Sequence, residues 1–399
     1  MNEKTEKAIH AAPCPYAKKC GACNLQNLPY EDQLRVKQSG VIRLLGRFGR
    51  VERIIGMKEP THYRNKVQAA FRSKSGKVVS GVYQSGSRHI IEVEDCMLED
   101  PCAAPILATI RKLAASMKIK PYDMVTGQGF LRHVLIRRGF QSGEIMVVVV
   151  TTPGDFRNEA AFVNELCRRH PEITTVVRNV NPTDTPLFLG GESHTLHGDG
   201  VITDRLCGLT FRISPRSFYQ VNPIQTEILY KKARDFAALS GRERVIDAYC
   251  GTGTIGLVLA SGAREVIGVE VNRDAVADAK VNAAENGIKN AVFYAGDAGE
   301  FMQDMATKRE HADVVMLDPP RAGCSKKFLD ALLSLSPRRI VYISCNPETL
   351  ARDLITLVRG GYEVGKIQPV DMFPYTSHVE AVVQLTRAVK APKSTRRTQ

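Results

Sequence analysis

Apolar and polar positions change rhythm twice along the 399 residues of the chain. In LPYEDQLRVKQSGVIRLL, residues 28–45, leucine and valine recur at helical spacing, so a helix follows the loop that carries three closely spaced cysteines. From 62 to 212 the runs KVQAAFR, KVVSGVYQ, RHIIEVE, GEIMVVVVTT and TTVVRNVN read as strands broken by Gly-rich turns, with a helix near 102–118. Beyond about 242 short apolar strands alternate with helices: RVIDAYC, EVIGVEV, AVFYAG, DVVMLDPP and RIVYISC. That alternation predicts an α/β unit with a parallel, doubly wound sheet. The expected organisation is a disordered N-terminus at 1–12, a cysteine loop and helix at 13–61, a β-rich α+β domain at 62–212, an α/β domain at 213–388 and a basic disordered tail at 389–399.

Composition narrows the class. An apolar share of 43% suffices for packed cores, and 55 Lys and Arg against 42 Asp and Glu give a net charge of +13, which favours a polyanionic partner. The N-terminal residues lack an apolar signal core and no run of about 18 apolar residues occurs, so no membrane association and a cytoplasmic location are expected. Ten cysteines in such a chain point to metal ligands, catalytic thiols and buried spacers rather than disulfides. Nothing in the pattern reports oligomeric state.

The strand ends carry the candidate chemistry. In DAYCGTGTIGL, residues 247–257, Gly251 and Gly253 let the backbone turn into a helix with its amides exposed. Glu270 closes the next strand, where a carboxylate can accept from ribose hydroxyls, and Asp297 and Asp318 close the following two. Ligands bind outside the carboxyl ends of strands in open α/β sheets, so the three acids face one crevice. They suit an uncharged or cationic nucleotide such as S-adenosylmethionine; a dinucleotide, with Gly256 as third motif glycine, stays open.

Cys345 follows the fifth strand and projects toward the same crevice, where amide dipoles of the next helix are expected to lower its thiol pKa. Glu380 interrupts the apolar run HVEAVVQL and is either a base or a solvated edge residue; the neighbouring His378 reads as a turn residue. A thiol, a carboxylate and a methyl donor suit methylation of a pyrimidine at carbon 5. The thiolate adds to carbon 6, the resulting enolate takes the methyl group, and the base removes the carbon 5 proton. Cys14, Cys20 and Cys23, at C-x5-C-x2-C spacing, could hold zinc or an iron–sulfur cluster, with a fourth ligand in VEDCMLEDPC. Cys167, Cys207, Cys250 and Cys324 read as buried spacers.

At SFYQVNP (217–223), DAYCGTG, GVEVN, LDPPRAG, YISCNP and FPYTSHVE the chain resembles the RNA uracil-5-methyltransferase family, over roughly residues 210–385. The resemblance implies a Rossmann-like methyltransferase sheet, with Cys345 as nucleophile and Glu380 as general base. It implies S-adenosylmethionine binding by Gln220, Tyr249, Thr254, Glu270, Asp297 and Asp318. Tyr249 and Thr254 replace the Phe and Asn frequent in the family, which shifts contacts rather than removing them. Members acting on 23S ribosomal RNA carry C-x5-C-G-x-C-x-L-Q and a 4Fe-4S cluster, which implies Cys14, Cys20, Cys23 and Cys96 as ligands, with Cys102 competing for the fourth place. The implied partner is therefore 23S ribosomal RNA; a transfer-RNA enzyme, or a silent RNA-binding assembly factor of the same fold, are the alternatives. A third possibility, an iron–sulfur redox enzyme with a nucleotide cofactor, leaves DPPR and SCNP unexplained. Arg64, Lys66, Arg132 and His133 are expected to grip a looped-out strand, with Phe130 or Tyr63 as stacking surfaces.

Overall fold

The computed structural model describes residues 14–87, 89–182 and 187–388, so the expected disordered ends lie outside the described residues. Two large sheets form the frame. The first has seven strands in the order Ile90–Glu92, Lys77–Tyr83, Lys66–Lys74, Leu131–Arg138, Ile145–Thr151, Ile173–Val180 and Glu192–His197. Ile145–Thr151 is buried along its whole length because both faces are covered. Val147 and Val149 meet the helices Ala103–Ser116 and Glu159–Arg169, whereas Met146, Val148 and Val150 meet the C-terminal half of the chain. Each such side chain contributes roughly 1.5–3 kcal/mol relative to exposure.

The second sheet has eight strands in the order Arg50–Val51, Tyr362–Val370, Glu380–Arg387, Arg339–Ser344, Val314–Leu317, Arg244–Ala248, Glu265–Glu270 and Ala291–Ala295. The five strands expected from the sequence are parallel, as predicted. Helices Pro223–Ala237, Thr254–Ala260 and Arg273–Glu285 cover one face; Ala298–Thr307, Lys326–Leu335 and Pro347–Arg359 cover the other. Period-2 alternation assigns the faces, with Val314 and Met316 on one side and Val315 and Leu317 on the other. Strand order reverses direction between Val314–Leu317 and Arg244–Ala248, which opens a crevice at their carboxyl ends. The fold class is the expected one: a doubly wound, Rossmann-like sheet joined to a β-rich α+β sheet.

Three strands escape the sequence pattern. Leu131–Arg138 carries Arg132, His133 and Arg137, whose charge hides a strand buried in all but its last residue. Glu192–His197 is polar and mostly exposed, as sheet edges are. Tyr362–Val370 pairs antiparallel with Glu380–Arg387, which places the latter inside the sheet. The N-terminal helix Tyr30–Leu45 packs on this sheet through Val41 and Leu45, and Arg50–Val51 extends it. Cys207 and Gly208, with φ of 52° and 82°, make the two-residue turn of the hairpin Ile202–Leu206 and Leu209–Ile213. Among the described residues no helix is long and apolar enough to cross a membrane.

Candidate active site

The glycine loop shows why its sequence takes this form. Gly253 has a φ of 82° and precedes the helix Thr254–Ala260; Gly256 donates its N–H to Asp247 Oδ2 at 2.7 Å, and a Cβ there would sit 2.9 Å from the same oxygen. Asp247 is fully buried and its other oxygen has no partner, so burial pushes its carboxyl up to about 7. Glu270 accepts from the N–H of Gly251 at 3.2 Å and of Asn272 at 2.9 Å, which ties the ends of two strands together. Asp297 caps its helix by accepting from Glu300 N at 2.9 Å.

Thr254 Oγ1 lies 3.1 Å from the Tyr230 hydroxyl, and the Tyr249 ring stacks on Phe328 with φ of 65° at its backbone. Gln220 presents its carbonyl to Asn65 Nδ2 at 3.3 Å, joining the two sheets at this motif. Phe218 is 67% exposed in the mouth of a pocket that also includes Ser217, Gly251, Glu270 and Asn272. Sequence reasoning missed it, although it stands inside the quoted SFYQVNP motif.

Cys345 and Glu380 meet through strand register. Ser344 pairs with Ala381 across the antiparallel ladder, so the next rung sets Cys345 opposite Glu380. The solvated-edge reading of Glu380 is wrong: the residue is 5% exposed in an interior strand. Burial and the Asp318 carboxylate push its carboxyl up to about 8, and burial alone pushes Asp318 up to about 7. The expected lowering of the Cys345 pKa also fails. Burial, Glu380 and Asp318 raise the thiol to about 11, and the nearby Arg321 offsets only part of this. Arg321 was missed as well; its guanidinium lies 3.2 Å from His378 Nδ1 over this crevice.

The segment from Asp371 to Ser377, which leads into Glu380, is held by the N-terminal part of the chain. Asp371 is fully buried, ion-paired with the buried Lys37 at 2.5 Å, and accepts from Tyr30 Oη at 2.8 Å. Lys37 also donates to Phe373 O at 3.0 Å, Gln33 Oε1 accepts from Tyr375 N at 2.8 Å, and Leu25 N donates to Tyr375 O at 3.0 Å. Asn24 closes a two-bond ring with Ser377, accepting from its N–H at 2.7 Å and donating to its hydroxyl at 2.9 Å. The signal for Asp371 is a lone acid within the apolar run PVDMFPY.

Cys23 and Cys96 pack with Met57, Tyr63, Leu98 and Tyr375. Cys14 and Cys20 lie near enough to Cys23 to raise its thiol, with burial, to about 11, and Cys23 in turn acts on Cys96. Cys102 belongs to a different cluster, under the central sheet, beside Asp100. Among the described residues, no three His, Cys, Asp or Glu side chains are placed so that they could hold a metal ion. Of the expected spacers, Cys250 and Cys324 are buried, whereas Cys167 and Cys207 are only half-buried.

Three of the six expected RNA-contacting residues, Arg132, His133 and Tyr63, are withdrawn from solvent, and Phe130 is half-buried. Arg132 is 4% exposed and donates to Pro182 O at 2.8 Å; His133 is buried 2.9 Å from the Tyr83 hydroxyl, and its pKa falls to about 4. Tyr63 is buried with its hydroxyl on Pro374 O, and Phe130 packs against Phe156. Arg64 and Lys66 remain half-buried near one another, and burial with Arg137 and Arg64 lowers Lys66 to about 8.

Comparison with known proteins agrees with this geometry. Residues 200–388 match the family model for tRNA (Uracil-5-)-methyltransferase. An uncharacterized RNA methyltransferase of Halalkalibacterium halodurans is 43% identical over 94% of this chain and 83% of its own length. One from Oceanobacillus iheyensis is 42% identical over 96% and 85%. The crystal structure of a Pyrococcus abyssi tRNA (uracil-54, C5)-methyltransferase bound to S-adenosyl-L-homocysteine superposes with a TM-score of 0.76 at 27% identity, over 91% of this chain and 85% of that one.

Proposed function

Because this chain belongs to the RNA uracil-5-methyltransferase family, we propose that it transfers a methyl group from S-adenosylmethionine to carbon 5 of a uridine in 23S ribosomal RNA. The observation that carries the chemistry is the opposition of Cys345 and Glu380 at the end of one ladder, one rung beyond Ser344 and Ala381, with Asp318 beside them. Gln220, Tyr249, Thr254, Glu270, Asp297 and Asp318 would hold the cofactor, which supplies an electrophilic methyl group when bound. The fit rests on Asp318, a buried acid of the crevice raised by burial with no cation among its causes, and on the Pyrococcus protein, whose structure holds S-adenosyl-L-homocysteine.

Cys345 adds to carbon 6 of the uracil, which makes carbon 5 nucleophilic. Its raised pKa means that substrate must help form the thiolate; Arg321 is the cation placed to stabilise it. After methylation Glu380 removes the proton from carbon 5, and departure of the thiolate restores the ring. A carboxyl near 8 is basic enough for that step. The uridine must leave any helix for carbon 6 to be reached, so the substrate is a flipped base in a loop. Arg64 and Lys66 would contact its backbone.

Cys14, Cys20, Cys23 and Cys96 are the thiols that the family resemblance would give a 4Fe-4S cluster: Cys14 and Cys20 act on Cys23 and Cys23 on Cys96, although among the described residues these side chains are not gathered into a metal-holding group. The cluster's chemistry there would be structural. A second reading, transfer RNA as substrate, is favoured by the similarity to the Pyrococcus enzyme. Incubation with 5-fluorouridine-substituted 23S RNA and, separately, transfer RNA decides between them. A covalent adduct with 23S RNA alone, absent in Cys345→Ala, supports the first reading; an adduct with transfer RNA alone replaces it with the second.

A further inference from the structure

We propose that Asn24 is a positioning residue for proton removal: through Ser377 it fixes the segment that sets Glu380 against the reacting base. This rests on the reading of Glu380 as the general base. Only His378 and Val379 separate Ser377 from Glu380, and many of the polar groups from Asp371 to Ser377 are satisfied by residues 24–37. Such a segment has no sheet ladder of its own. Tyr375, with a φ of 67°, holds a backbone conformation that a non-glycine side chain keeps only when its surroundings enforce it.

Several attachments enforce it, Gln33 and Leu25 on Tyr375 itself and two on its flanks. One is the buried Lys37–Asp371 pair, whose removal strands a charge in the core and endangers the fold. The other is the exposed Asn24–Ser377 ring, which involves no charge and can be cut without a cavity. Asn24 sits between Cys23, packed on Tyr375, and Leu25, bonded to Tyr375 O. The loop that carries three thiols is therefore also the loop that aims the base.

The role differs from simple stabilisation because it touches one chemical step. Cys345 follows the strand Arg339–Ser344, and among the described residues no hydrogen bond ties it to residues 371–377, so adduct formation and methyl transfer should proceed without Asn24. Only the exit of the carbon 5 proton, and with it release of the RNA, should slow.

The test uses the full chain, S-adenosylmethionine and an RNA that the wild type methylates, in single turnover. Asn24→Ala should form the covalent methylated adduct in wild-type amount and release it about tenfold more slowly, the scale expected for a small misplacement of a catalytic group. Asn24→Asp should restore release, because a carboxylate still accepts from Ser377 N–H and from its hydroxyl. Wild-type release by Asn24→Ala overturns the proposal, as does equal loss of adduct formation and release. Glu380→Gln is the control: if it accumulates adduct while Asn24→Ala does not, only the positioning role falls. If Glu380→Gln accumulates none, the base assignment falls and the proposal with it.

Discussion

The two buried charge sites beside the crevice are built on opposite plans. Around Asp371 the charge is answered: Lys37 pairs with it and Tyr30 donates to it. Along the crevice from the glycine loop to Cys345, Asp247, Asp318 and Glu380 are withdrawn from water with no cation among the described groups that shift them, and all three are pushed to 7 or 8. The paired site spends its electrostatics on holding position. The unpaired site keeps its groups near their titration point, which is where an acid can exchange a proton at neutral pH.

This contrast can be broken in four places. The largest effect belongs to Cys345→Ala, which should lower methyl incorporation about 1000-fold or more while leaving thermal unfolding unchanged. Survival of turnover would remove the unpaired site from the chemistry. Next is Lys37→Met, which leaves Asp371 buried and alone. It should cost about 3–5 kcal/mol in urea unfolding, and a further Asp371→Asn should recover most of it. Equal stability of Lys37→Met and wild type would show that the pairing holds nothing.

Third is pH. Glu380 is raised from 4.5 to about 8 by folding, so the folded state holds its proton more tightly than the unfolded chain. Its contribution is complete below about 4.5 and is lost as pH rises through 8; Glu380→Gln should flatten that decline in a urea series from pH 5 to 9. The smallest effect is Asp318→Asn. Removing that neighbouring charge should shift the pH dependence of adduct breakdown toward acid by about one unit, and an unmoved profile would show that Asp318 does not act on Glu380.

Much of the C-terminal sheet is legible in the sequence because its strands are continuous apolar runs closed by acids or Cys345. The opposition of Cys345 and Glu380 is less legible. It depends on an antiparallel strand that enters between Arg339–Ser344 and Tyr362–Val370, a pairing of long sequence separation that no local period encodes. Arg132 and His133 mislead for a related reason: a basic strand looks like an RNA surface until its partners, Pro182 O and the Tyr83 hydroxyl, are found in space. Asn24, Lys37 and Asp371 are invisible singly, because each gains meaning only from a partner more than 300 residues away.

The ladder that joins Arg339–Ser344 to Glu380–Arg387 acts as a ruler. The pairing of Ser344 with Ala381 brings nucleophile and base to the same end of that ladder, and the Asn24–Ser377 attachment holds the segment just before the base. Changes in loops that do not hold Asp371–Ser377 can alter which RNA is bound without disturbing the distance on which the chemistry depends.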